Sequence, residues 1–328
     1  MIKIAMLSKW HVHAGDYARQ VRQSGKAEIT CVWDDDPARG AAWAKELGVD
    51  FVADLNSILA RQDVAAVVVD TPTSDHARVM IAAARSGKHI FTEKAMAPTL
   101  ADCRAISAAI ADHGVKFCIS MPQLTTPMIL FAKKAIDDGL LGRVHFLRIR
   151  VAHGGSVQGW LPDYWYDVEK AGGGAMMDLG CHPMYIASWL LGRPARIGSM
   201  FNTTYSPPPA EDNAVSVVEF AGGAIAVLET GFATPWSANC FELLGSEGAI
   251  VSIDQEIKIR SRKYDVEGWV IPDKLPDALP TAMLQWLTGI ETGAPIVFDT
   301  ERGEALTELL EKAYQSHNRQ EILTFEKA

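Results

Sequence analysis

The sequence predicts an α/β fold in which a doubly wound domain is followed by a strand-rich second domain, and three observations support this. Apolar β-branched runs alternate with helix-period segments over the first 120 residues, short apolar runs separated by turns follow, and the 328-residue length holds about two domains. The alternation favours a parallel sheet, because βα crossovers lay helices on both of its faces.

Ile2–Leu7 reads as the first strand, His13–Ser24 as a helix, Ile29–Trp33 as the second strand and Ala38–Leu47 as the helix after the Asp34-Asp35-Asp36-Pro37 turn. Ala65–Val69, a helical stretch reaching Arg85 and the strand His89–Thr92 continue the pattern. Thr99 with Asp102 forms an acidic variant of the capping box for a helix through Ala111, and Phe117–Ser120 closes the alternating half. Beyond Pro122 a helix runs to Asp138, followed by strand-like runs at Val144–Val151, Ile197–Thr204, Ala214–Phe220, Ala224–Glu229, Cys240–Leu244, Ala249–Ile253 and Ile257–Ile259. Turns instead of long helices separate the later runs, so the second sheet is expected to be antiparallel or mixed. Ala282–Gly289 and Glu304–Tyr314 read as helices, the latter able to pack back on the first domain. The expected division is 1–120 and 121–328.

Composition narrows the function. Hydrophobic residues make up 48% and charged residues 22%, which is ordinary globular usage. Thirty-one basic against 40 acidic side chains give a formal charge of -9, which argues against nucleic acid as a partner. The five cysteines are widely spaced without a C-x-x-C pair, and neither a secretory segment nor a bilayer-length apolar run is evident, so a reduced cytoplasmic setting and no membrane are expected.

The strongest constellation is Ala171-Gly172-Gly173-Gly174-Ala175-Met176-Met177-Asp178-Leu179-Gly180-Cys181-His182. A helix continuing to Leu191 would project Asp178 and His182 from one face at i and i+4, pairing an acid with an imidazole for proton transfer. A capping network around a buried structural histidine explains the same residues. Glu93-Lys94 follows a strand of the first half, where open α/β sheets bind ligands, so Lys94 is expected to hold a hydroxyl or cofactor oxygen; a solvated ion pair is the ordinary alternative.

At the first βα turn a dinucleotide site usually carries G-x-G-x-x-G, but here the stretch is Ser8-Lys9-Trp10-His11-Val12-His13. Ser8, Trp10, His11 and Val12 are the expected cofactor contacts there, with bulky Trp10 forcing a different path. His11 and His13 lack a clear third ligand, so no metal is expected. Asp34 is placed to accept the adenosine ribose hydroxyls and to disfavour a 2′-phosphate, which favours NAD over NADP if a dinucleotide binds; Arg39 weighs against that preference, since it could hold the phosphate if the loop bent toward the site. Thr71, Pro72 and His76 are expected walls of the same crevice. For substrate, the aromatic run with Tyr164, Trp165 and Tyr166 suits a sugar or cyclitol ring, joined by Arg150, His153, Tyr185, Trp236 and Asn239. Packing explains the aromatic run equally well.

These residues resemble the Gfo/Idh/MocA family of oxidoreductases over nearly the whole chain, most specifically in Glu93-Lys94 and the Gly172-to-His182 run. The resemblance implies an N-terminal Rossmann domain and an α+β domain with a large, predominantly antiparallel open sheet that commonly forms an oligomer interface. It implies Lys94, Asp178 and His182 as catalytic residues, with Lys94 positioning an alcohol and Asp178 and His182 in the acid and general-base positions. Two departures stand out: the dinucleotide glycines are replaced, and Ala95 stands where the family has proline. Tyr185 also occupies a position where many sugar-active relatives carry a carboxylate. The expected activity is NAD-dependent oxidation of a secondary hydroxyl of a sugar, glycoside or cyclitol, or its reverse, by a homodimer or homotetramer. An NAD-retaining lyase, hydrolase or epimerase is the alternative enzyme, and an NAD- or sugar-sensing protein the non-enzymatic one.

Overall fold

A computed structural model describes residues 1–236, 239–253 and 256–326. Helices run in the order α1 (Ala14–Gln23), α2 (Pro37–Leu47), α3 (Leu55–Leu59), α4 (His76–Arg85), α5 (Leu100–His113), α6 (Pro127–Asp137), α7 (Gly155–Gln158), α8 (Val168–Ala171), α9 (Ala175–Asp178), α10 (Cys181–Leu191), α11 (Ala282–Thr292) and α12 (Thr300–Arg319). The chain groups into two units, the first comprising Met1–Met121 with Pro280–Thr307 and the second Pro122–Leu279 with Glu308–Ala328.

The first unit is built on parallel strands β1 (Ile2–Leu7), β2 (Ala27–Trp33), β3 (Asp50–Phe51), β4 (Ala66–Val69), β5 (His89–Thr92) and β6 (Phe117–Ile119), ordered β3-β2-β1-β4-β5-β6. Strand order reverses between β1 and β4, which opens a crevice at the carboxyl ends of the strands. Local chemistry fixes the helices beside it. Asp36 caps α2 by accepting from the Ala38 and Arg39 amides with Pro37 in the first turn, and Thr99 caps α5 through the Asp102 amide. β3 and α3 had no counterpart in the sequence reading, since a two-residue strand leaves no periodic signal.

Residues 280–307 also differ from the expected division. Ala282, Met283, Trp286 and Leu287 of α11 are buried, and the Trp286 ring lies 5.7 Å from Phe91 of β5. An apolar sheet face needs cover on both sides, and this returning segment supplies part of it.

The second unit carries β7 (Val144–Ala152), β8 (Pro194–Asn202), β9 (Asn213–Phe220), β10 (Ile225–Gly231), β11 (Asn239–Gly245), β12 (Gly248–Ile253), β13 (Glu256–Ser261) and β14 (Leu323–Thr324). Their order is β13-β12-β11-β7-β10-β9-β8-β14, antiparallel except for β7 with β10. β9 shows why one face is covered: Ala214, Ser216, Val218 and Phe220 are buried, whereas Val215 and Val217 point to the open side. Met200 and Ile225 are exposed on the neighbouring strands. On the covered side the Thr230 hydroxyl donates to the Ala175 carbonyl of α9 at 3.4 Å.

Candidate active site

The ends of β1, β2, β4 and β5 gather the candidate cofactor residues of the first unit. Ser8 is buried in the left-handed region at φ 74°, a conformation in which glycine is usual, and its hydroxyl reaches Asp34 at 3.2 Å and Asp35 at 2.9 Å. The Trp10 ring is turned into the core at 3% exposure, so the expected obstruction of the cofactor path by a bulky side chain does not arise. Val12 is exposed. The Asp34 carboxylate is fully covered, accepting from the Lys9 amide at 2.8 Å, the Asp36 amide at 2.9 Å and Arg39 Nε at 3.0 and 3.1 Å. The Arg39 guanidinium thus covers the Asp34 carboxylate that was expected to accept the ribose hydroxyls.

Thr71 and Pro72 follow β4 into the crevice, and the buried Thr71 hydroxyl has no hydrogen-bond partner among the described residues. His76 is a brace: Nε2 lies 3.1 Å from the Thr71 carbonyl, and Nδ1 lies 3.0 and 3.2 Å from the Ala95 and Met96 carbonyls. Its ring nitrogens serve the backbone, so the residue offers a wall and not a hydrogen bond to the cofactor. Burial holds its pKa below the usual imidazole value.

Glu93 is the hub of the first unit at 1% exposure. It accepts from Tyr17 Oη at 2.5 Å and from the Lys94 amide at 3.0 Å, His13 Nδ1 is 3.2 Å away, and His11 Nε2 is 3.8 Å away. Burial pushes the carboxyl up, but His11, His13 and Lys94 outweigh it and hold the pKa well below the ordinary value. Glu93 is thus the third metal-type donor that His11 and His13 lacked in the sequence, all three within 4.8 Å. However, the carboxylate already has hydrogen-bond donors, and His11 Nδ1 accepts the His13 amide at 3.2 Å, which in a neutral ring leaves the proton on Nε2, the nitrogen facing Glu93. The arrangement is that of a hydrogen-bonded hub. Asp70 beside it was not anticipated: its buried carboxyl has no hydrogen-bond partner among the described residues, and burial, then Glu93, push its pKa well up. Tyr17 was equally unanticipated, although it lies one helical turn past His13.

In the second unit the expected single helix through Asp178 and His182 is broken. Asp178 ends α9, His182 lies in the first turn of α10, and Leu179-Gly180 separates them. The glycine run before α9 is required by close approach: a Cβ on Gly173 would meet Tyr314 Oη at 2.0 Å, and one on Gly174 the Glu211 carbonyl oxygen at 2.4 Å. Glu211 clamps this turn, accepting from the Gly174 and Met176 amides at 3.0 Å and from Tyr314 Oη at 2.6 Å. Burial raises its pKa despite those donors. No local signal marks Glu211 or Tyr314, which reach the turn from distant segments.

His182 is buried, and its Nδ1 lies 2.7 Å from Tyr185 Oη, which also accepts the Gln123 amide at 3.2 Å. In the tautomer whose Nδ1–H donates to the phenol, Nε2 carries the lone pair of a base; in the one where the phenol donates to Nδ1, Nε2 carries the proton. Tyr185, expected as a substrate reader, is thereby an orienting partner, and the i,i+3 spacing carried that signal. Asp178 acts on His153: burial lowers the His153 pKa while Asp178 pulls it up. The His153 ring stacks on Phe232 at 5.0 Å.

The other expected substrate residues divide. Arg150 Nε pairs with Glu229 at 2.9 Å across neighbouring strands. Trp165 is buried as packing, Tyr164 is half-buried, and Tyr166 Oη lies 3.0 Å from Ser156 Oγ. Trp236 is 83% exposed. A cavity of about 480 Å3 opens between α6, α10 and the sheet, and of the expected substrate residues Arg150 and Asn239 line it.

A six-strand doubly wound order with a switch-point crevice is the architecture of a dinucleotide-binding unit, and a helix-backed open sheet makes up the second unit. Residues 12–121 match the oxidoreductase family with an NAD-binding Rossmann fold, and residues 129–251 match the GFO/IDH/MocA C-terminal domain. The chain belongs to the Gfo/Idh/MocA family. It is similar to levoglucosan dehydrogenase of Pseudarthrobacter phenanthrenivorans, 27% identical over 248 residues covering 66% of this chain and 62% of the relative. It is also similar to scyllo-inositol 2-dehydrogenase (NAD(+)) of Bacillus subtilis, 29% identical over 231 residues covering 68% and 66%. The matches thus span slightly less than two thirds of these relatives. A solved levoglucosan dehydrogenase in complex with NADH and L-sorbose has the same fold, with a TM-score of 0.88 at 20% identity covering 100% of this chain and 99% of that one.

The first unit fits the dinucleotide of its family. Its crevice lies at the strand-order switch, Ser8 takes a glycine-like conformation without glycine, Trp10 is turned into the core, and the buried Thr71 hydroxyl has no hydrogen-bond partner among the described residues.

Proposed function

We propose that the protein is an NAD-dependent dehydrogenase acting on a secondary hydroxyl of a sugar, glycoside or cyclitol. The observation that carries this reading is His182, a buried imidazole whose Nδ1 is held 2.7 Å from Tyr185 Oη; the reading places the proton on Nδ1, so that Nε2 serves as a base. NAD, when bound, supplies the two-electron acceptor. In the second unit His182 takes the hydroxyl proton; in the first, the Lys94 ammonium, on a backbone whose amide is fixed by Glu93, supplies a cation suited to an oxygen of substrate or cofactor. Asp178 tunes the second-unit site electrostatically, as its pull on His153 illustrates. Ser8, His11, Arg39 and Thr71 face the dinucleotide from the first unit.

We also assign the open sheet face to a second copy of the chain, since Met200, Val215, Val217 and Ile225 leave apolar surface on its outer side. A cytoplasmic setting suits free thiols such as Cys31 and Cys103. Among the described residues no helix is long and apolar enough to cross a membrane.

The test is formation of reduced nicotinamide against a panel of sugars, glycosides and inositols, with His182→Asn alongside. We expect turnover to fall about 100-fold or more with NAD affinity retained. Unchanged turnover at saturating substrate and cofactor would remove His182 as the base, and no affinity for NAD or NADP would remove the redox reading.

A further inference from the structure

The cavity between α6, α10 and the sheet adjoins His182 through a short chain of contacts. Gln123 and Ile186 line it; the Gln123 amide donates to Tyr185 Oη, and that oxygen lies 2.7 Å from His182 Nδ1. Its volume of about 480 Å3 falls within the range of small-molecule sites. Its lining is chiefly apolar, with Met128, Ile149, Ile186, Phe241, Ile257 and Leu275 as the main walls. The guanidinium of Arg150, which also lines it, is paired with Glu229, so the charge there is matched within the fold.

Gln123, Thr126, Arg150, Asn239 and Ser252 supply the polar part of the lining, but the larger apolar part suits an apolar group better than a bare polyol. Each ring hydroxyl buried against Ile149, Phe241 or Ile257 would lose its hydrogen bonds to water without gaining replacements. An aromatic or alkyl group, by contrast, gains in proportion to the apolar area that it buries. We propose that this cavity is a subsite for the apolar aglycone of a glycoside whose sugar ring is the part oxidised. The proposal rests on the dehydrogenase reading for the ring and adds the substituent. It accounts for a pocket that contains neither Asp178 nor His182 yet is lined by Gln123, whose amide donates to the Tyr185 phenol.

The experiment is calorimetric binding of phenyl and methyl glucosides and galactosides, in both anomeric forms, to the full chain in the presence of NAD, with Met128→Trp as the comparison. Met128 is half-buried, so a larger side chain fills the cavity from its rim; circular dichroism and an unchanged melting profile confirm that the variant folds. Burial of one aromatic ring strengthens binding by at least about tenfold. We expect that preference for a phenyl over the matching methyl glycoside in at least one pair, and its loss in Met128→Trp. Absence of a phenyl preference in every pair, or a preference that survives the substitution, overturns the proposal. A phenyl preference abolished by the substitution but without nicotinamide reduction keeps the subsite and sinks the dehydrogenase reading, so the two fail separately.

Discussion

The two units hold their functional side chains in different ways. In the first, Ser8, Asp34, Thr71 and Glu93 follow directly from the ends of β1, β2, β4 and β5, and sheet topology alone brings them together. In the second, Asp178 and His182 sit on a four-residue helix and the start of the next, and a buried carboxylate and a phenol from distant segments hold the turn before them. Strand ends position residues through many backbone hydrogen bonds, whereas short helices need side-chain props. The first arrangement should therefore tolerate single polar changes better than the second.

The largest expected effect tests whether residues 280–307 belong to the first core. Trp286→Ala removes a fully buried indole and should destabilise the protein by about 3–5 kcal/mol, read by urea denaturation. A loss below about 1 kcal/mol would show that the returning helix is merely laid on the surface.

Next comes the propped turn. Gly173→Ala places a methyl group against Tyr314 Oη, and we expect about 2–3 kcal/mol of destabilisation and a marked loss of turnover with NAD affinity kept. Comparable loss of NAD affinity would mean that the units are not separable in this respect.

Tyr185→Phe should be milder, about 1 kcal/mol in stability, with turnover reduced roughly tenfold and the acid limb of its pH profile displaced, because His182 loses its orienting partner. An unchanged pH profile would assign the phenol to packing alone.

The smallest effect is on pH dependence. Burial holds His76 and His153 below the ordinary value of 6.5, so the unfolded chain binds protons more readily. Their stabilising contribution is present above that pH and declines as the pH falls through the window toward the folded values. Asp70 and Glu211, whose pKa values burial raises, act in the opposite sense, so the test is a difference: on going from pH 7 to pH 5 the melting temperature of His76→Gln should fall less, or rise more, than that of the unsubstituted protein. An identical pH dependence in the two proteins would contradict the burial argument.

Much of the first unit was legible in the sequence because its core strands are short, largely apolar runs between helix-period segments and Glu93-Lys94 stands visibly after one of them. Its errors came from side-chain direction. Trp10 looked obstructive because no linear pattern tells whether an indole turns inward, and Asp34 looked available because its cover, Arg39, comes from the following helix. In the second unit the glycines and His182 were conspicuous, but Gly180 interrupting the helix was read through. Glu211 follows a proline-rich loop and Tyr314 lies in the last long helix, so their meeting at Gly174 is a property of the fold and not of any local pattern.

The Tyr314–Glu211 contact has a practical corollary for the far end of the chain. A cut ahead of position 314 would spare every residue expected to do chemistry and still remove the hydroxyl that caps Glu211. Such a shortened protein should keep its nucleotide affinity while its catalytic turn loosens, so that a tail distant in sequence acts as a keystone for residues 172–178.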